Sequence, residues 1–387
     1  MRREICLALT LGAVALSGCS DKKSGSRSAA SANSPATIGT SSTPATPTTP
    51  TTPGPSRFLY SANYGDASIT RLSIDAATGA PAVVGTVALG DVPLRLVVDP
   101  AHRYLYAIER SEVTPLAIGP AGDLTPLGAG PVVIAGDYPM SACATPDGAL
   151  LLVGYYGGGP GGSVRSFAIG ATGALTPVGH VALGATANPV DVLVDAASRF
   201  AYVVDEIGQT ITVLSIVPGA GALVPVGAPV PCADARALAL DATGAFLVVM
   251  TSASPGSIRS YAVAATGAIT PRSAPLRLGP HSPMALTRGP DGKLYVVTAN
   301  SSLIVATLDA QGTLTESSVT PIPAFGFPCA LALDASGRFV YTANFAGDDL
   351  SVLTIGATGA ISAGPNVAVA PRAAGNTTQP SFLVTVR

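Results

Sequence analysis

The chain has no tryptophan, which removes the propeller repeat signature built on a Trp-Asp dipeptide. Charge is also scarce. Only 11% of residues are charged and the net charge is −2, so there is no basic face for a phosphate backbone, and no nucleic-acid partner is expected. Histidine occurs three times, at His102, His180 and His281, and no pair has metal-ligand spacing. No metal and no cofactor are expected. There is no Cys-x-x-Cys pair, no Gly-x-Ser-x-Gly elbow and no phosphate loop. The glycine-rich run at 155–163 leads into another strand rather than a helix N-terminus, so it reads as an inter-strand loop and not a phosphate cradle. Beyond the first residues, no stretch is long and apolar enough to span a bilayer.

What the chain does have is apolar material and punctuation. Hydrophobic residues make up 48% of 387 positions, with 43 Gly and 34 Pro that recur at regular places between strand-like segments. That length exceeds most single compact domains unless the fold is built from repeats. Residues 1–18 read as an export signal: Arg2 and Arg3, then an apolar run over 5–16. Leu16-Ser17-Gly18-Cys19 resembles the bacterial lipobox, which implies that Cys19 is diacylated and becomes the mature N-terminus; the competing reading is an ordinary signal peptide with a chance cysteine. Buried methylenes contribute ~0.8 kcal/mol each, so such an anchor would be stable. In the sorting pattern this resembles, an Asp directly after the Cys retains the protein at the inner membrane. Here Ser20 follows and Asp21 comes one place later, so an outer-membrane location is expected, on either its periplasmic or its surface face. Residues 19–56 are Ser, Thr, Pro, Ala and Gly with almost no large apolar groups, and read as a disordered tether. Of the remaining cysteines, Cys143, Cys232 and Cys329 read as buried or turn thiols, with one disulfide among them left open.

Residues 57–387 carry a repeat. Aromatic-rich strands start near Arg57, Arg103, Ala149, Arg199, Ala245, Lys293 and Arg338, about 45–50 residues apart, the span of a four-stranded propeller blade. Turn glycines recur independently at Gly79, Gly122, Gly173, Gly221, Gly267, Gly312 and Gly359. Each is preceded by a strand with three apolar positions, such as Ile69, Leu72 and Ile74 or Ile211, Leu214 and Ile216. The step of three and then two breaks strict alternation and predicts a bulge or bend there. The innermost strands open with Pro93, Pro139, Pro189, Pro283, Pro328 and Pro380, and with Ala235 in the fifth blade. The domain begins on the second strand of a blade and ends with an unpaired innermost strand, so residues 382–386 should complete the first blade. The fold class is therefore all-β, a closed seven-bladed β-propeller of four-stranded blades, expected to be a monomer. Six or eight blades would need a false or an unseen copy. The strand-like patterning excludes a helical solenoid.

The segment ASRFAYVVDEIGQTITVLSI, residues 197–216, resembles the GRFAYVVNEL-x-x-T-V-x-V stretch of the seven-bladed lactonase family, which includes propeller-type 6-phosphogluconolactonases and 3-carboxy-cis,cis-muconate lactonizing enzymes. The resemblance extends over 57–387. More distantly, YSANYGDASITRL and YTANFAGDDLSVL are similar to the Tyr-Val-Thr-Asn repeats of surface-layer propellers. The lactonase resemblance implies a His, an Arg and a Glu around one channel mouth. The Glu matches Glu206. The His and Arg positions, each following the Pro of an innermost strand, hold Met140 and Val190, and a second family Arg aligns near Ser252.

Lactone opening needs a group to deliver water and a donor to stabilise the oxyanion. Arg236 shares the post-Pro register one blade on and is the candidate donor; the plainer readings are a channel-lining arginine and a strand-end carboxylate for Glu206. The seven residues at that register are Leu94, Met140, Val190, Arg236, Met284, Cys329 and Ser381. They are mostly apolar and offer one cation, so a ligand there should carry less charge than the family's substrates. His281, in the loop before Pro283, is the one histidine placed near this mouth. The resulting expectation is a lipid-anchored extracytoplasmic propeller with a degenerate lactonase site that binds a protein, a glycan or a small lactone. The alternative is an active lactone hydrolase of the carboxylic-ester class using Glu206 and Arg236, which should then lie side by side at one mouth.

Overall fold

The computed structural model describes residues 58–128, 130–133, 137–157, 161–253, 255–323, 326–369 and 378–386. The export signal, Cys19, the tether and Arg57 lie outside them. The described residues form seven antiparallel sheets, each built outward from an innermost strand. Blade 1 is ordered Pro81–Ala88, Ser68–Ile74, Phe58–Asn63, Pro380–Val386. The last of these is the C-terminal strand, paired from Phe58↔Val386 to Asn63↔Pro380. Chain closure therefore joins the two ends of the domain in one sheet, as the repeat register requires. In blades 2, 4, 5 and 7 the outer strand is split into two short pieces, such as Leu223–Pro225 and Val230–Pro231, both on the third strand. A proline donates no ladder hydrogen bond, and at the edge this loss is tolerated.

The innermost strand and the second strand are joined by a tight turn under an aspartate. Asp99 Oδ1 accepts from the N–H groups of Arg103 (2.6 Å) and Tyr104 (2.7 Å). Asp195 and Asp334 do the same in blades 4 and 7. The repeated Asp is thus a turn former whose Oδ1 is spent on backbone, while Oδ2 meets a nearby side chain, Arg103 in blade 2 and Ser336 in blade 7.

The three-then-two pattern has a different cause from the one expected. The third strands run on without a bulge of their own; where an irregularity occurs, as between Arg71 and Leu72, the extra residue is on the outer strand. The odd step instead changes the side of the sheet. Ile69 packs with Leu96, Leu105 and Leu116 of blade 2, whereas Leu72 and Ile74 pack with Phe339, Leu350 and Val352 of blade 7. Ile211 likewise faces blade 5, and Leu214 and Ile216 face blade 3. A blade is covered on both faces, so its third strand can put apolar groups on either one.

Neighbouring blades also interlock through the glycine turns. Gly79 sits at φ +72° beneath the Phe339 ring of blade 7, and a Cβ there would overlap that ring. Tyr341 of blade 7 donates its hydroxyl to the Gly79 carbonyl at 2.9 Å, and Tyr60 does so to Gly122 at 2.7 Å. The turn glycine is needed twice over, for its backbone angle and for the close approach. Cys143, Cys232 and Cys329 are free thiols.

Gly79→Ala should cost about 2–4 kcal/mol, combining left-handed strain with overpacking against Phe339. Gly130→Ala should cost only about 1–2 kcal/mol, because Gly130 has φ +74° but open space around it. Denaturant unfolding of the two variants checks the difference.

Candidate functional site

In every blade the residue after the opening Pro or Ala is skipped by the ladder. Pro189 pairs with Asp205 and Asp191 with Val204, leaving Val190 out; Ala235 pairs with Thr251 and Ala237 with Met250, leaving Arg236 out. The same skip isolates Leu94, Met140, Met284, Cys329 and Ser381. Each is the extra residue of a bulge, a device that turns a side chain out of the sheet plane. All seven line the central channel, a cavity of about 660 Å³ that also touches Pro100, Pro290 and Asp334 at the other end of the innermost strands.

Glu206 arrives from the adjacent strand. It directly follows Phe200–Asp205, and its N–H donates to the Asn188 carbonyl at 3.0 Å, so it sits on the same face of the disc as Pro189. There it meets Arg236: Nη2 lies 2.7 Å from Glu206 Oε1, with side chains only 9% and 11% exposed. Asn188 Nδ2 donates to Glu206 Oε2 at 3.2 Å. Arg236 Nε donates to Ser252 Oγ at 3.1 Å, so a guanidinium reaches the Ser252 position from the neighbouring strand of the same blade. Two polar atoms in this cluster, Arg236 Nη1 and Asn188 Oδ1, are buried with no hydrogen-bond partner. An unmet buried donor carries its desolvation cost until something supplies an acceptor.

Burial raises the Glu206 carboxyl above its usual range, against the lowering effects of the Arg236 charge and the Asn188 amide. Burial likewise lowers Arg236, opposed by Glu206. Arg236 lines the channel, and Glu206 stands beside it on the Pro-side face with a comparable fraction of its side chain exposed. His281 contacts Asn300 and joins no channel-lining group.

One expectation needs correcting: the channel holds more than one cation. Arg95, one residue beyond Leu94, places Nη1 2.9 Å from Asp191 Oδ1 and donates from Nη2 to the Val190 carbonyl at 2.8 Å. Its guanidinium carbon lies 5.5 Å from the centre of the Phe382 ring. Asp191 Oδ2 in turn accepts from the Leu238 N–H at 2.8 Å. This pair links blades 2, 4 and 5 across the channel. Burial pushes the Asp191 carboxyl up, and Arg95 opposes the shift. A third cation, Arg288, ends the innermost strand of blade 6 and lies at the far end of the channel. Counting only the post-Pro register missed these residues; opposite charges at the next position of two blades were the available signal.

Arg236→Leu should remove the partner of a buried carboxylate and lower stability by about 3 kcal/mol at pH 8. Without Arg236 the Glu206 carboxyl rises further. The loss should therefore shrink as pH falls toward 5 and Glu206 takes up a proton, which thermal melts across pH would show.

A comparison with curated proteins returned no match. Among solved structures, a periplasmic gluconolactonase of Pseudomonas aeruginosa superposes with a TM-score of 0.72 at 21% identity, over 86% of this chain and 99% of that one. A Bacteroides uniformis protein named as a candidate 6-phosphogluconolactonase gives a TM-score of 0.74 at 16% identity, over 86% and 100%. At such identities these likenesses establish the fold. The family model described as "Lactonase, 7-bladed beta-propeller" matches residues 67–189 and 245–380, passing over the segment that carries Glu206 and Arg236. With most of the propeller matched on both sides of that segment, the chain belongs to the seven-bladed β-propeller lactonase family.

Proposed function

We propose that this propeller is a lactone hydrolase whose reaction takes place at the Pro-side mouth of the channel. The observation that carries the reading is the Glu206–Arg236 contact at 2.7 Å, with Arg236 Nη1 left without an acceptor on a channel-lining residue. Glu206 takes a proton from water as the water oxygen bonds to the lactone carbonyl carbon. Arg236 donates to the oxyanion of the tetrahedral intermediate. The intermediate collapses by breaking the ring C–O bond, and the departing alkoxide takes the proton from Glu206, giving a hydroxy acid. Asn188 and Ser252 hold the two charged groups in register. The second reading is a propeller that binds without turnover, and Met140 and Val190 favour it, since they stand where the family resemblance places a His and an Arg. Its ligand would then be a protein, a glycan or an intact lactone.

A panel of neutral and acidic lactones decides between the two. Hydrolysis should be measurable on at least one member, and Glu206→Gln should lower it by about 10²–10⁴-fold. No turnover above background on any lactone leaves the binding reading. Because the base must be ionised, kcat/KM should fall on the acid side, with its inflection above pH 4.5, the ordinary value that burial of Glu206 exceeds.

We also propose an extracytoplasmic location with a lipid anchor on Cys19 in the outer membrane, supported by the leader sequence and its lipobox-like end. Cys19→Ser should abolish labelling by radioactive palmitate and move the protein from the membrane fraction to the soluble fraction.

A further inference from the structure

The mouth half of the channel contains two cations, and each is matched by its own carboxylate. Arg236 is held by Glu206 and Arg95 by Asp191. The second pair lies one residue deeper than the first along the innermost strands, and the Leu238 N–H, two residues on from Arg236, ties Asp191 beneath it. The Arg95 guanidinium is committed on three sides, to Asp191, to the Val190 carbonyl and to the Phe382 ring. Arg288 is five residues from Pro283 along its strand, about 16 Å away at ~3.3 Å per residue, and does not alter this balance.

We propose that the Arg95–Asp191 pair makes this mouth a charge-neutral site that selects an uncharged lactone with an aliphatic substituent over a phosphorylated one. The inference rests on the lactone reading above and names its substrate class. A phosphate entering the site would find no cation without a carboxylate on it. The open donor here, Arg236 Nη1, belongs to a guanidinium whose charge Glu206 already balances from 2.7 Å, so a phosphate taking it would also meet that carboxylate; to gain Arg95 it would have to break the second pair and leave Asp191 buried beside it. The remaining wall at this level is Leu94, Met140, Val190, Met284, Cys329 and Ser381, of which Ser381 alone carries a hydroxyl; its apolar members offer an alkyl chain about 0.8 kcal/mol for each methylene removed from water. The cavity of about 660 Å³ has room for a lactone ring and a short chain.

The test measures binding by calorimetry with two non-hydrolysable probes, a pentyl-substituted δ-valerolactam and the phosphorylated lactam of gluconic acid. The unsubstituted protein should bind the pentyl lactam at least about tenfold more tightly. Asp191→Asn frees the Arg95 charge and should strengthen binding of the phosphorylated lactam by about tenfold. Met284→Lys adds a cation without touching either pair and should do the same, which keeps the test open if Asp191→Asn does not fold. Equal or tighter binding of the phosphorylated lactam by the unsubstituted protein overturns the proposal. So does binding of neither lactam, or a folded Asp191→Asn and a folded Met284→Lys that both leave the phosphorylated lactam unimproved. Turnover is not read here. A chain that binds the pentyl lactam but hydrolyses no lactone keeps this inference and loses the hydrolase reading.

Discussion

Everything in this molecule depends on mutual coverage of sheets. Each blade is apolar on both faces, and neither face has water as a stable alternative. The third strands record this directly: Ile69 is buried against blade 2 while Leu72 and Ile74 are buried against blade 7. A linear stack of such blades would expose one face at each end. Pairing Phe58–Asn63 with Pro380–Val386 removes both ends at once, and the aromatic–glycine contacts between Phe339 and Gly79 and between Phe58 and Gly122 fix how closely adjacent blades approach.

The same architecture explains the placement of chemistry. The innermost strands crowd around an axis, and the bulge at their first turn is where a side chain can leave the sheet and enter the channel. Because the bulge recurs in all seven blades, the ring it creates is a fixed frame whose occupants can vary without disturbing the fold. In this chain the frame is mostly apolar, with one arginine. The carboxylate that meets it comes from the adjacent strand of a neighbouring blade, so the Glu206–Arg236 contact is also a contact between blades 4 and 5. Structural cohesion and candidate chemistry are carried by the same atoms, which is why the pair can be buried this deeply and persist.

The fold was legible in the sequence because periodic burial writes itself into every repeat: the turn glycines and the aromatic strands each count seven, the opening prolines and Asp turns recur in most of the same repeats, and the incomplete first blade shows how the ring closes. The channel-facing register was legible for the same reason. What escaped were features that depend on distance across the ring. Arg95 and Asp191 are 96 positions apart and belong to blades that are not neighbours, so no local pattern joins them. The odd step in the third strand was visible but misassigned to a bulge, since a step of three is also what a strand shows when both of its faces are buried. The partnership of Glu206 and Arg236 was foreseeable from register; the unmet hydrogen-bonding capacity of Arg236 Nη1 and Asn188 Oδ1 was not, because it depends on packing detail.

The closing strand has a further bearing on orientation. Asn63 pairs with Pro380 on the side where the bulged residues and Glu206 gather, whereas Phe58 pairs with Val386 on the opposite side of the disc. The polypeptide therefore enters the ring from beneath, on the face away from the arginine and glutamate. If the N-terminal segment holds the protein to a bilayer as proposed, the attachment enters the disc at Phe58, on the opposite face from the candidate site, and so leaves the mouth itself unburdened.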